Sequence, residues 1–358
     1  MNRRSLLVAA RALAIIVLVA AAVPILLELL GFAPAPALRA LLVGSIGSFD
    51  ALVSATLVRV TPLMLTGLAV AVAFRAGVFN IGAEGQLLTG AACAAAVGLA
   101  GRGSLPGAIA LPFELIAGAI GGASWAAIAA VLRARFRVLE VISTILLNFI
   151  ALYLVSYLVR GPLQEPLHIY PQSEALPADA RLPRVIAGSR LHAGFPLAIA
   201  TAMILWWYVR FTAGGFRLRV VGANPDAARS AGEIDVARMT IIAFLVSGAL
   251  AGLAGAIEVT GVTFALYENI SPGYGYTGIA VALLARLGPL AVIPSAMLFG
   301  ALEAGATAMQ RDAGVPSVVV SIAEAAIILG LVVLSRVSVV TGAGRRGSER
   351  EAPEGEDA

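Results

Sequence analysis

Lysine is missing from this chain of 358 residues, so all 25 of its basic residues are arginines. A Walker A loop needs a lysine to reach the terminal phosphates of a nucleotide, and the absence excludes ATP hydrolysis by that chemistry. Cysteine occurs once, as Cys93 in an alanine-rich apolar run, which rules out an intrachain disulfide and a thiolate metal centre. Cys93 reads as a small packing residue. The two histidines, His168 and His192, are too isolated from each other to form a metal motif. No Ser/His/Asp arrangement stands out, so the chain is not read as an enzyme and no cofactor is expected. Charge is scarce as well: 13% of residues are charged and 59% apolar, with a mean hydropathy of +0.93. Soluble domains carry about 25% charged residues, and a water-soluble fold of this length would have too little polar side chain to cover itself. A lipid bilayer is the solvent that remains.

What the chain does contain is a succession of apolar stretches. A helix crosses the roughly 30 Å hydrocarbon core with about 20 apolar residues. Spans are read at 8–30, 50–73, 80–100, 107–132, 139–160, 195–213, 238–262, 273–287, 289–309 and 316–335. The expected fold is an all-α integral membrane protein of about ten transmembrane helices, nine being possible. The first apolar run is longer than a signal-peptide core and is followed by Pro34 and Pro36, so it is read as a retained span. With the N-terminus inside, most arginines fall on one side, among them Arg75, Arg133, Arg135, Arg137, the group from Arg210 to Arg238, Arg286 and Arg336. Arginine is retained in short cytoplasmic loops, which places both termini in the cytoplasm. The isoelectric point near 9.6 then reports topology and implies no nucleic-acid surface. Residues 161–194, rich in proline, become an external segment and 214–237 a cytoplasmic loop. Residues 1–340 form one transmembrane domain, and 341–358, polar and without aromatics, a disordered tail.

One stretch recurs. Thr66 to Gly77 reads TGLAVAVAFRAG and Thr277 to Gly288 reads TGIAVALLARLG, which predicts a parallel internal repeat of the kind found in transporter folds. Discontinuous helices are expected after each copy, near 78–86 and 288–292. The first of these, VFNIGAEGQ, sets Asn80, Glu84 and Gln86 among Gly82 and Gly85 at the start of an apolar run. Irregular backbone at membrane depth is tolerated only where protein or a water-filled cavity satisfies it, and an ionisable residue there is a functional candidate. Glu84 has a plainer alternative as an acid at the positive end of a helix. Ser143, Thr144 and Asn148 share one side of a helix, where they either line a pathway for hydroxyl-rich solutes or tie helices together. Glu258, Glu303 and Glu324 lie in apolar runs without an evident basic neighbour, and Asn269, Tyr274 and Tyr276 flank the second repeat copy at an external interface or pore mouth.

The cytoplasmic loop carries a helix signature. Asn224 caps a helix whose first residue is Pro225, with Asp226 in the first turn and Gly232 at the stop. That helix, 225–231, is expected to expose Ala227, Ala228 and Ser230 for close approach by another protein and Arg229 for an acidic partner. An ordinary capped loop helix is the alternative.

These residues carry a resemblance. FRAGVFNIGAEGQLLTGA at 74–91 closely resembles the signature of bacterial ABC transporter permeases that serve nucleosides, ribose-type simple sugars and branched-chain amino acids, and its FNIGAEGQ form resembles the nucleoside and simple-sugar branch. VISTILLNFIAL at 141–152, FRLRVVGANPDAARSAGEIDVARM at 216–239, SGALAGLAGAIEVTG at 247–261 and GYGYTGIAVALLARLGPLAVIPSAMLFGAL at 273–302 extend it over most of 60–335. One departure is Glu233, inserted where the family reads Ala-Gly-Ile. The resemblance implies the permease subunit of an importer in the bacterial inner membrane, working with ATP-binding cassette ATPase subunits, a second homologous permease chain and an extracytoplasmic solute-binding protein. The translocation pathway is read through Asn80, Glu84, Gln86, Thr144 and Asn148. The resemblance makes 225–231 the coupling helix, with Gly222, Asn224, Pro225, Ala227, Ala228, Arg229 and Gly232 at the ATPase contact. A secondary transporter with Glu84 or Glu258 carrying protons, and a non-transporting scaffold, are the readings from other classes.

Overall fold

The computed structural model describes residues 24–102, 106–230, 232, 234–316, 318, 319, 322 and 325. Most of the first and last expected spans, Ala231, Glu233, Glu324 and the tail lie outside the described residues. The elements are α1 (Pro34–Ile46), α2 (Leu57–Arg75, entered through a π-helical turn at Ala51–Thr56), α3 (Ala83–Ala100), α4 (Gly107–Phe136), α5 (Glu140–Val159), α6 (Gly194–Phe211), α7 (Ala213–Ala223), α8 (Pro225–Ser230), α9 (Val236–Glu258, leaving through a π-helical turn at Val259–Thr263), α10 (Tyr274–Leu284) and α11 (Pro289–Ala313). Among the described residues strand pairing amounts to two isolated bridges, Gln172 with Tyr267 and Arg184 with His192.

Seven helical stretches among the described residues are long and apolar enough to cross a bilayer: 51–75, 83–100, 109–136, 140–159, 194–211, 236–263 and 289–313. The span expected at 273–287 is not one of them. α10 has 11 residues, which at about 1.5 Å each cover roughly half of the hydrocarbon core. It stops because Arg286 and Leu287 both take positive φ, 49° and 59°, and α11 restarts at Pro289, a favoured first helical residue. The break expected at 288–292 therefore falls at 285–288, and the one expected at 78–86 falls at 76–82. α1 occupies a region where no element is expected.

The described chain forms two compact units, one running Ile46–Ala301 and one combining the residues up to Ser45 with those from Leu302 onward. The second is held by a buried cluster of Leu27, Ala37, Ala306, Met309, Val315 and Val319. Within the first, α2, α3 and α9 are central: from Val60 to Ala73 every residue of α2 is buried. α4, α5 and α6 present Ile116, Ile120, Phe149, Ile150, Tyr153, Ile204, Trp206 and Trp207 outward, faces that match hydrocarbon and not water. The segment 161–193 folds back over the stretch that follows α9: Ser173, Leu176 and Leu182 donate their N–H groups to the carbonyls of Leu266, Phe264 and Thr260 at 2.7–2.9 Å. A bidentate pair between Arg160 and Glu268, at 2.6 and 2.9 Å, fastens the end of α5 to the same region.

Glycine draws the central helices together. Gly118 and Gly122 on α4 face Gly248 and Gly252 on α9, and Gly90 on α3 faces Gly252. A Cβ on Gly252 would sit 2.2 Å from the Gly118 carbonyl oxygen, and one on Gly90 would sit 2.3 Å from the Gly252 Cα. Both pairs have the small-xxx-small spacing that lets membrane helices touch backbone to backbone. Gly252→Val is expected to destabilise the protein by about 1–3 kcal/mol, the usual cost of overpacking. Thermal unfolding in detergent measures it, and an unchanged midpoint would mean that the seam has room to spare.

Candidate functional site: a broken helix and its capped loop

The chain leaves α2 at Arg75 and re-enters helix at Ala83, so the 76–82 backbone must find partners outside helix geometry. It finds them in side chains. Asn80 Oδ1 accepts from the Gly82 N–H at 2.9 Å and from Gln86 Nε2 at 3.0 Å, while Asn80 Nδ2 donates to Gln86 Oε1 at 3.0 Å and to Ser247 Oγ on α9 at 2.9 Å. From α5, Asn148 Nδ2 donates to the Ile81 carbonyl at 2.9 Å and its Oδ1 accepts from the Gly85 N–H at 2.8 Å; Thr144 Oγ1 accepts from the Ile81 N–H at 3.3 Å. Asn80, Gln86, Ser143, Thr144 and Asn148 are all buried, while Val141, Ile142, Leu146, Phe149 and Ile150 on the other side of α5 are exposed. The two-sidedness of α5 is as expected from sequence. Ser143 stands apart from the network, donating to the Glu140 carbonyl of its own helix.

Glu84 joins this group from the other side. It sits in the first turn of α3, and its Oε2 accepts the Gly275 N–H at 2.7 Å. Gly275 belongs to the first turn of α10, where N–H groups have no partner in their own helix. One carboxylate thus lies at the positive ends of two helices. The contact is close because Gly275 has no side chain: a Cβ there would meet the Glu84 backbone nitrogen at 2.2 Å. The structure therefore gathers all five residues read as pathway at one junction, where their polar groups are spent on backbone, on each other and on neighbouring side chains such as Ser247.

The loop between α6 and α9 holds more helix than the sequence indicates, since α7 precedes α8. Asn224 Oδ1 accepts from the N–H groups of Asp226 and Ala227 at 3.1 and 3.0 Å, the cap that its position predicts. Gly232 takes φ +72° and donates to the Arg229 carbonyl at 3.0 Å. Ala227, Arg229 and Ser230 are exposed, but Ala228 is fully buried, which corrects its place on the outward face. Arg229 pairs with Asp226 of its own turn at 2.5 Å, an exposed pair of the sort worth about 0.3–0.5 kcal/mol and so readily exchanged for another partner. Gly222, on α7, packs against the carbonyl of Arg75 and the N–H of Gly77, bringing this loop onto the start of the 76–82 break.

Four other residues resolve differently. Glu258 is buried at the end of α9 with Arg59 and Arg190 near enough to act on it electrostatically, neighbours invisible in its own stretch of sequence. Glu114, a lone acid in the apolar run of α4 that sequence reading passed over, is fully buried against Gly98 and Leu176; neither carboxylate oxygen has a hydrogen-bond partner among the described residues. His168 is exposed, with Nδ1 3.0 Å from Gln164 Oε1. His192 is fully buried, its ring between Gly194 and Gly261 and its Nδ1 accepting the Gly194 N–H at 3.2 Å.

Burial, reinforced by Arg190, holds the His192 imidazole down to about 4. Its folded value is below the unfolded one, so its stabilisation is complete above about pH 6.5 and is lost as pH falls toward 4, on the order of 3 kcal/mol in all. His192→Gln should flatten the fall in thermal midpoint between pH 7 and 5; equal slopes in both proteins would count against it. Asn148→Leu leaves the Gly85 N–H and Ile81 carbonyl buried and unpartnered, at about 1–3 kcal/mol each. A melting curve should show that loss, whereas Phe149→Leu, on the outward face, should change little.

A family profile described as the permease component of branched-chain amino acid transport systems matches residues 52–340. The chain is 43% identical over 281 residues to the guanosine ABC transporter permease protein NupP of Bacillus subtilis, covering 77% of this chain and 80% of that one. It is 38% identical over 311 residues to the glucose ABC transporter permease protein TsgB13 of Haloferax volcanii, covering 83% and 80%. To the nucleoside ABC transporter permease protein NupB of Lactococcus lactis it is 32% identical over 319 residues, covering 87% and 86%. No solved structure matches it at a comparable level of significance. The broken helix at 76–82, the apolar outward faces and these likenesses over most of its length agree: the chain belongs to the permease-component family of branched-chain amino acid transport systems.

Proposed function

We propose that this permease carries nucleosides or simple sugars inward across a bacterial plasma membrane, drawing its energy from separate ATP-binding cassette subunits that dock on α8. The observation that carries the reading is the capped, solvent-facing α8 joined through α7 to the break at 76–82. A six-residue helix buries almost nothing by itself, and isolated helices of that length do not persist in water. Its cap by Asn224 and its buried Ala228 hold it in shape, and the exposed Ala227, Arg229 and Ser230 form a small, low-relief surface suited to a partner's groove.

The cargo class rests on what the relatives are named for and on the amide and hydroxyl groups at the 76–86 junction. Asn80, Gln86, Thr144, Asn148 and Glu84 hold the resting backbone; when the break moves, the same groups become free to exchange those bonds for solute hydroxyls. Motion is then a population shift driven from outside the chain, since it requires only that nucleotide state favour one position of α8. A second permease chain completes the pathway, a binding protein delivers solute to the side carrying 161–193, and α8 faces the cytoplasm with both termini. The recurring stretches support a two-half arrangement: α2 and α10 lie side by side and run the same way, with Thr66 donating to the Tyr274 carbonyl at 3.0 Å, Gly278 packed on Thr66 and Gly67 on Val281.

Vesicles holding the permease pair should take up labelled nucleoside or sugar only with ATPase subunits, ATP and loaded binding protein. Uptake driven by a pH or sodium gradient alone would overturn the reading. Ala227→Glu should release the ATPase subunits from the purified complex while the permease still folds.

A further inference from the structure

We infer that the half-length helix α10 is the element moved when α8 moves, and that Arg75 is the positioning residue that hands the motion on; the inference rests on the reading of α8 as the ATPase-facing helix. α10 is gripped at both ends by residues that flank the first break. Arg75 stands immediately before that break, and its Nη2 donates to the Leu287 carbonyl at 2.7 Å, in the turn that ends α10. Glu84 stands just after it and accepts from Gly275 in the first turn of α10. The non-helical segment 76–82 therefore runs between the residues that hold the two ends of α10, and couples a displacement of the one to the other.

The input arrives at Arg75 through its main chain. α7 and α8 share a single joint, Asn224, whose N–H closes α7 on the Val220 carbonyl at 3.1 Å and whose side chain opens α8. Its backbone is extended, with φ −157° and ψ 99°, so α8 cannot be shifted without pulling on the last turn of α7. In that turn Gly222 rests directly on Arg75. A Cβ at Gly222 would lie 1.9 Å from the Arg75 carbonyl oxygen and 3.1 Å from the Gly77 nitrogen, a contact with no side chain to absorb movement. α7 also brings Arg219 near enough for its charge to act on Arg75. The guanidinium is thus set between a cationic neighbour on α7 and a carbonyl in the second break, and moving α7 changes the balance between them.

The test uses the assembled complex of permease pair, ATPase subunits and binding protein in vesicles. Arg75→Met keeps the main-chain contact with Gly222 and removes the guanidinium, with its bond to Leu287 and its charge beside Arg219. It should co-purify with ATPase as the unaltered protein does, yet its uptake per ATP hydrolysed should fall about tenfold, inside the usual range for coupling between sites. Arg75→Lys, which retains a donor, should recover part of that ratio. Gly222→Ala should reproduce the defect from the α7 side. Uptake and hydrolysis falling in proportion to the amount of folded complex, with no rescue by lysine, would mean a purely structural Arg75 and would overturn the inference, as would an Arg75→Met complex of unaltered ratio. Failure of the α8 reading registers separately, as ATPase association that survives Ala227→Glu.

Discussion

A helix that starts inside a bilayer exposes N–H groups that no water can reach, and each must be matched by a side chain or another backbone. The opening residues of two helices, Ala83 and Glu84 of α3 and Tyr274 and Gly275 of α10, are buried in the protein, and one carboxylate, Glu84, serves both. An acid in the first turn of α3 is favourable where it stands, and its reach to Gly275 makes it favourable to a second helix. The rest of the junction follows from the same need: Asn80, Asn148 and Thr144 are placed where Ile81, Gly82 and Gly85 would otherwise be orphaned. Their polarity is a requirement of the broken backbone before it is anything else.

That requirement also explains why this region was legible in the sequence. Asn, Glu and Gln between glycines in an apolar chain signal backbone that leaves helix geometry, and Asn224-Pro225 signals a cap with the same directness. Composition alone identified the bilayer as solvent, and the outward faces of α4 to α6 agree with it. The partners of these residues were not legible, because Ser247, Gly275 and Leu287 lie far away in sequence and are ordinary where they stand.

Two expectations fail for identifiable reasons, and one buried acid goes unread. The reading of 273–287 as a full span fails because hydropathy does not register two residues, Arg286 and Leu287, turning to positive φ. Ala228 was put on the outer face of α8 because six residues are too few to display a periodicity, so which of two neighbouring alanines points inward depends on what α8 packs against. Glu114 carries the same signal as Glu258, Glu303 and Glu324, a single acid in an apolar run, and its burial without a hydrogen-bond partner among the described residues marks it as costly to keep. The small-xxx-small pairs at Gly118 and Gly122 and at Gly248 and Gly252 could have been read, since their spacing is explicit.

The glycine seam has a mechanical consequence. Where helices meet through side chains, small rotations are absorbed by rotamer changes, and a bundle can flex internally. At Gly90, Gly118, Gly122, Gly248 and Gly252 the contact between α3, α4 and α9 is backbone on backbone, with no side-chain torsions there to take up strain. Those three helices behave as a single stiff keel, and deformation is delegated to whatever is attached to them by hydrogen bonds alone.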